Sequence, residues 1–212
     1  SCFLFDAPLR HRGYSYYFIN ILIMCWNADV SLKTYLLGMA LAALTKYRGS
    51  VDNATWAFLV LFTHMQLVEY FLWKNMDNPQ QLELWSKIGS IVIVSQPLFL
   101  MNMMKDSKLK LQLMAVYLAV VVGWFALKTK RFETRVGANG HLVWDWFPAS
   151  STWAILWVVS WFTPLILSQN YKLLFLSLAG FIPSVYYYLK YNTWGTMWCW
   201  ISVFVWIAYM FM

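Results

Sequence analysis

The chain has 212 residues, 61% of them hydrophobic, 20% aromatic and only 12% charged, with a mean hydropathy of +0.53. Ordinary soluble domains are roughly 45–50% apolar and about 25% charged, so a water-soluble globule is excluded and hydrocarbon must be the solvent for most of the polypeptide. The net charge of +7 does not point to nucleic acid either: the lysines and arginines stand singly or in small groups at the ends of apolar runs, where they serve as interfacial anchors and contact lipid headgroups.

Residues 1–27 read as an N-terminal extension or interfacial segment. Arg10-His11-Arg12 followed by apolar residues Tyr14 to Trp26 has the outline of a secretory signal, but no small-residue cleavage site follows, and roughly 13 apolar residues are too few to cross a bilayer. Residues 28–212 read as one transmembrane domain. Hydropathy and turn signals place spans at about Val30–Tyr47, Thr55–Trp73, Ser86–Met104, Leu109–Leu127, Ser150–Leu167, Tyr171–Leu189 and Trp194–Phe211, each near the length needed for about 30 Å of hydrocarbon. The expected fold is an all-α, polytopic integral membrane helix bundle of about seven transmembrane helices. The first span carries Gly38, Ala40, Ala42 and Ala43, which suit close helix packing better than lipid contact.

The one long link, Lys128 to Phe147, alternates in a strand-like way around Gly137-Ala-Asn-Gly140. Asn-Gly is a hairpin signal because both residues tolerate positive φ, and a small extramembrane β-hairpin is predicted at about 131–146. Its aromatic edge, Trp144, Trp146 and Phe147, is expected to rest at the headgroup level; the plainer alternative is a hairpin that caps the bundle. The crowded tryptophans Trp194, Trp198 and Trp200 are likewise expected as interface anchors, and Tyr186-Tyr187-Tyr188 as an interface belt. Pro97, Pro164 and Pro183 lie inside predicted spans, where each frees a backbone carbonyl. With seven spans, one face receives Arg10, Arg12, Lys33, Lys74, Lys87, Lys128, Lys130, Arg131, Arg135 and Lys190, and the other Lys46, Arg48, Lys105, Lys108, Lys110 and Lys172, a weak bias toward an inside N-terminus.

Chemistry concentrates in the second span, WAFLVLFTHMQLVEYFLW, which carries Thr63, His64, Gln66 and Glu69 among apolar neighbours. Ionisable groups at membrane depth are costly and by default mark function. At 100° per residue Thr63, Gln66, Tyr70 and Trp73 share a stripe with Glu69 on its edge, while His64 points elsewhere. Neutral partners come from the next span: Ser95, Gln96 beside Pro97, and Asn102. Three readings compete. Gln66, Glu69 and Gln96 form an interhelical hydrogen-bond network that only fixes helix packing, as in a structural or assembly protein of a membrane; or Glu69, with His64, binds a cation, relays protons or polarises a ligand in a small channel, transporter or ligand-binding protein; or the pair performs acid–base catalysis in an intramembrane enzyme.

The absences prune further. Cys2, Cys25 and Cys199 form no CxxC pair, and HExxH, GxSxG and Walker signatures are missing. No mid-span lysine in the last helix offers a retinal Schiff base, His64 is the lone intramembrane histidine, and no repeat relates the two halves. No metal site is implied, the cofactor is left undetermined by the sequence, and an enzyme is the least favoured class. The partners expected are membrane lipids and, through small-residue and aromatic patches, a second copy of the chain.

Three segments, Met24-Cys-Trp-Asn-Ala-Asp-Val-Ser-Leu-Lys-Thr-Tyr35, His64-Met-Gln-Leu-Val-Glu-Tyr-Phe-Leu-Trp73 and Gly195-Thr-Met-Trp-Cys-Trp200, together resemble a family of uncharacterised small polytopic membrane proteins from large DNA viruses of algae and protists and some of their hosts. The likeness runs from Met24 to the C-terminus, with Asn139-Gly-His-Leu-Val-Trp144 in its hairpin. It implies a membrane architecture and no catalytic residue. It also implies that Met24 is an internal start with residues 1–23 a poorly ordered extension, and that the location is an internal viral membrane or a host membrane.

Overall fold

A computed structural model describes residues 27–127, 132–148 and 150–211; the N-terminal segment up to 26 and the start of the expected hairpin arm at Arg131 lie outside the described residues. The chain forms α1 (Ala28–Arg48), α2 (Asn53–Lys74), α3 (Pro79–Met101), α4 (Ser107–Leu127), β1 (Thr134–Val136), β2 (Leu142–Trp144), α5 (Thr152–Leu167), α6 (Tyr171–Tyr188) and α7 (Trp194–Phe211). A 3-10 turn at Leu189–Tyr191 prolongs α6, and α7 is two helical pieces, Trp194–Trp200 and Ser202–Phe211, meeting at Ile201. Five helices are long and apolar enough to cross a membrane: α2, α3, α4, α6 with its 3-10 turn, and α7. This is a helical membrane protein with a small two-stranded sheet.

Local chemistry sets the helix starts. Asn27, Asp52, Asn78, Ser151 and Asn170 each turn a side-chain oxygen onto the first free amides of the helix that follows, satisfying donors that have no intrahelical partner. At the far end of α1, Gly49 adopts φ 65°, a left-handed cap in which its amide returns to the last carbonyls.

α2 is the hub, packing on α1, α3 and both pieces of α7. α1 turns small and hydroxyl residues inward, Ser31, Thr34, Gly38, Ala42 and Thr45, and leaves Leu36 and Leu37 more than half exposed at 56% and 51%. That inversion is the rule when lipid is as apolar as leucine: close approach of backbones, rather than burial of large side chains, drives association. At Gly38 a β-carbon would come within 2.6 Å of Thr63 Cγ2, which fixes how closely α1 and α2 meet. α4 stands at the periphery with only Tyr117 and Val121 buried.

The core is built of tryptophan. Trp146, Trp157, Trp161, Trp198 and Trp206 are each under 2% exposed, with Trp161 edge-on to Phe58 at 5.1 Å and to Trp198 at 5.2 Å between ring centroids. The expected interface anchors Trp194 and Trp198 therefore lie inside. Their rings pack against Phe147, Trp157, Phe181 and Phe62, where aromatic edge-to-face contacts add to the area they bury. Pro97 frees the carbonyl of Ile93, and Trp157 Nε1 donates to that oxygen at 2.9 Å, so the bond the proline removes is replaced by one that ties α5 to α3. At the next residue of α3, Tyr117 donates its hydroxyl to the Val94 carbonyl at 2.9 Å.

The hairpin exists with a different turn and a different role. β1 pairs antiparallel with β2 through Thr134 opposite Trp144, Arg135 opposite Val143 and Val136 opposite Leu142. The loop closes by bonds from the Gly137 amide to the His141 carbonyl and from the Gly140 amide to the Gly137 carbonyl. Of the turn residues only Gly140 has positive φ, at 76°; Asn139 spends its side chain on Thr193 instead, donating from Nδ2 at 2.8 Å. Trp144, Trp146 and Phe147 are 3%, 1% and 3% exposed, so the aromatic edge plugs the end of the bundle rather than resting among headgroups. Ser86 on α3 and Thr134 on β1 pin it there through a 2.7 Å hydroxyl pair, to which Trp146 Nε1 adds a donation at 3.3 Å.

Candidate functional site

The buried stripe of α2 is Thr55, Leu59, Phe62, Thr63, Gln66 and Glu69, continuing to Leu72. It passes through Glu69 and not through Tyr70, which is half-buried and lies 5.9 Å under the Lys74 ammonium at the end of the helix. Gln66 Nε2 donates to Glu69 Oε2 at 3.1 Å, and the two side chains are 0% and 1% exposed. Among the described residues the remaining oxygens, Gln66 Oε1 and Glu69 Oε1, accept no further hydrogen bond, and the Thr196 side chain is a polar neighbour of the carboxyl. Glu69 forms no ion pair among the described residues.

Glu69 sits under the hairpin. Thr196, in the first piece of α7, lies beside its carboxyl and donates its own hydroxyl to the Leu142 carbonyl of β2 at 3.0 Å. Gly195 makes that approach workable, since a β-carbon there would strike the Trp144 ring at 2.8 Å. Thr196 was hidden in the sequence inside a tryptophan-rich stretch that reads as an anchor; a lone hydroxyl within an apolar span was the signal to weigh.

The interhelical network expected of Gln66, Glu69 and Gln96 is not formed. α2 and α3 run antiparallel with Gly89 against Val68 and Met65, so Glu69 is level with the residue before Gly89 and Gln96 lies about eight residues, or about 12 Å, farther along the bundle. Gln96 is 0% exposed, and neither of its amide atoms finds a partner among the described residues. Ser95 bonds back to the Ile91 carbonyl at 2.7 Å on its own helix. Asn102 caps the far end of α3 and lines a polar cavity at the opposite end of the bundle. His64 is apart from Glu69: its Nδ1 pairs with the Val60 carbonyl at 2.7 Å and its ring stands edge-on to Tyr35 of α1 at 5.5 Å.

Thr63 belongs to the bundle's fastenings rather than to the carboxyl. Its hydroxyl donates to the Leu59 carbonyl at 2.8 Å and accepts from Trp206 Nε1 at 2.9 Å, joining α2 to the second piece of α7. Interhelical ties are thus made by Thr63–Trp206, Trp157–Ile93, Tyr117–Val94 and Trp56–Ala42, none of which involves Gln66, Glu69 or Gln96. Between Thr55 and Thr63 the stripe is apolar, closed by Phe58 and Phe62, whose rings meet Trp161 at 5.1 and 5.4 Å.

Two titratable groups outside the spans frame the site from either end. Burial in the hairpin lowers His141 to about 4, so its imidazole is neutral at physiological pH. Partial burial works to raise Asp52 at the head of α2, but hydrogen bonds from Thr55 and Ala54 outweigh it and hold the carboxyl below its usual value, keeping it charged. Among the described residues no group of three or more His, Cys, Asp or Glu side chains is placed to hold a metal ion. No known protein family, characterised protein or solved structure matches the chain.

Proposed function

We propose that this chain is a seven-span integral membrane protein, a small channel or transporter that passes protons or a small cation, with Glu69 as the charge-handling group and Gln66 as the side chain that orients it. The two spans beyond the five most apolar helices are α1 and α5. α1 has 21 residues, about 31 Å of helix, and packs its small-residue face on α2 and α7. α5 has 16 residues and is a shorter apolar helix.

The observation that carries the reading is where the Gln66–Glu69 bond lies. It joins two residues of one helix, three apart, so the bond itself ties α2 to no other helix, and the Thr196 hydroxyl of α7 that reaches the carboxyl already gives its proton to the Leu142 carbonyl. A polar pair kept for packing should bridge helices and satisfy its atoms. This one leaves two oxygens open in a sealed interior, an arrangement that costs stability and is retained where a proton or cation must be taken up and released. The separation of His64 from Glu69 removes the main support for an intramembrane enzyme. The resemblance to viral membrane proteins supports the same architecture and an internal viral or host membrane as the location.

The test is flux. Protein reconstituted into vesicles loaded with a pH-sensitive dye is given an imposed potential, with potassium and sodium gradients in parallel arms. Protein-dependent flux that is lost in Glu69→Gln, with the variant still monodisperse, is the expected result; undiminished flux in Glu69→Gln would sink the proposal.

A further inference from the structure

The end of the bundle away from the hairpin holds a second, unrelated feature, a polar cavity of about 530 Å³ lined by Asp52 and Thr55 at the head of α2, Asn102 after α3, and Asn170, Lys172 and Tyr209. Its two charged side chains are of opposite sign, yet they do not pair: the ion pairs among the described residues are Glu83–Lys87 and Arg135–Asp145. Lys172 instead holds its ammonium 4.0 Å over the Tyr209 ring, and Asp52 flanks the same tyrosine closely enough to act on it electrostatically. Lys172 also lies in the first turn of α6, where the helix dipole disfavours a cation. A fixed positive and a fixed negative charge therefore flank one ring in one cavity without neutralising each other. A ligand carrying the complementary pair completes both.

The position of the cavity indicates which zwitterion. It opens at the level where α2 and α6 begin and α3, α5 and α7 end, the level of lipid headgroups in the seven-span topology. Toward the same ends of α3 and α5, an apolar groove of about 140 Å³ runs between α4 and α5, lined by Met101, Leu113, Tyr117, Val120, Leu156 and Pro164. Cavity and groove share the ends of α3 and α5 as their wall, since Met101 adjoins Asn102 and Pro164 is one turn from Ser168, another residue lining the cavity. One polar chamber next to one apolar channel suits an amphiphile. Among the described residues Tyr209 is the one aromatic side chain lining the cavity and Lys172 occupies a face of it, so these residues form no aromatic cage for a quaternary ammonium, whereas the Asp52 carboxylate takes N–H donors.

We infer that this cavity binds the headgroup of a zwitterionic phospholipid bearing a primary ammonium, with phosphate at Lys172, ammonium at Asp52 and an acyl chain in the α4–α5 groove. The site is independent of Glu69, and its ligand need not affect flux.

The full chain in lipid-free detergent micelles is titrated with dihexanoyl phosphatidylethanolamine, its phosphatidylcholine and phosphatidylglycerol counterparts, and glycerophosphoethanolamine, which has the headgroup without chains. Binding is read by native mass spectrometry and by the shift in thermal midpoint. The expected result is saturable binding of the ethanolamine lipid, about tenfold or more tighter than each of the other three. Asp52→Asn, which keeps the helix cap because asparagine caps as well as aspartate, and Lys172→Met, which keeps the stem, each weaken it by about tenfold or more. Equal binding of phosphatidylglycerol or phosphatidylcholine, equal binding of the chain-free headgroup, unchanged affinity in both variants, or no saturable binding at all would each overturn the assignment. Should either variant fail to fold, the ligand series on the unaltered protein decides alone.

Discussion

Thr63→Val tests whether the hydroxyl–indole bond between α2 and α7 holds the bundle closed. Thr63 and Trp206 are both fully buried, and their bond of 2.9 Å links residues 143 apart in sequence. Valine keeps the shape of threonine and the Cγ2 methyl that faces Gly38 of α1, so the change removes the hydroxyl alone. The indole N–H of Trp206 is then stranded. A stranded buried donor costs about 1–3 kcal/mol, and interhelical hydrogen bonds in membranes contribute about 0.6 kcal/mol on average and about 1.7 at most, so the expected loss is about 1–2 kcal/mol. Trp206→Phe loses the same bond and leaves a void, for about 2–4 kcal/mol. The double variant should cost less than the sum, by a coupling of about 0.5–1.5 kcal/mol. Equilibrium unfolding in mixed micelles with increasing dodecyl sulfate reads all three. A coupling near zero would show that the bond contributes nothing to stability and would remove Thr63 and Trp206 from the fastenings of the bundle.

Two further outcomes follow from the hairpin. Gly195→Ala places a β-carbon 2.8 Å from the ring of Trp144, which is stacked on Trp146 at 5.3 Å and cannot withdraw; overpacking of this kind costs about 1–3 kcal/mol, seen as a lower thermal midpoint and faster proteolysis within the hairpin, and an unchanged midpoint contradicts the plug. His141 contributes a pH dependence of defined sign: the unfolded chain takes a proton near pH 6.5 that the folded hairpin refuses until about 4, so stability is full above the upper value, declines as pH falls between the two and changes no further below. His141→Asn should flatten unfolding midpoints over that window, and a slope that survives the substitution assigns it elsewhere.

Much of the architecture was legible because hydropathy and capping act locally. The expected spans at Thr55–Trp73, Leu109–Leu127 and Trp194–Phe211 lie within two residues of the helices at each end. The start of α3 was missed by seven residues because its first two turns, Pro79-Gln-Gln-Leu-Glu-Leu-Trp, are too polar to register as a span, although Asn78-Pro79 is a cap followed by proline at the first helical position. The tryptophans were misplaced for a physical reason: indole suits both a headgroup interface and a dry interior that offers ring partners, and only three-dimensional packing distinguishes Trp198, buried against Trp161, from an anchor. Gln96 illustrates the same limit. Its burial follows from the stripe it occupies, but its distance from Glu69 depends on the antiparallel register of α2 and α3, set by Gly89 against Val68, and nothing in either helix alone encodes that register.

The buried polar side chains fall into those that fasten helices and those that do not, and replacing the latter by apolar ones probes that division directly. In Gln66→Leu/Glu69→Leu, two polar groups with open oxygens give way to hydrocarbon of similar volume, which is near neutral or stabilising when no bridging bond is lost. Unfolding in mixed micelles should show the double variant at least as stable as the unaltered protein, while flux is abolished. A loss of about 2 kcal/mol or more would mean that the pair holds the helices together, and would contradict the central claim.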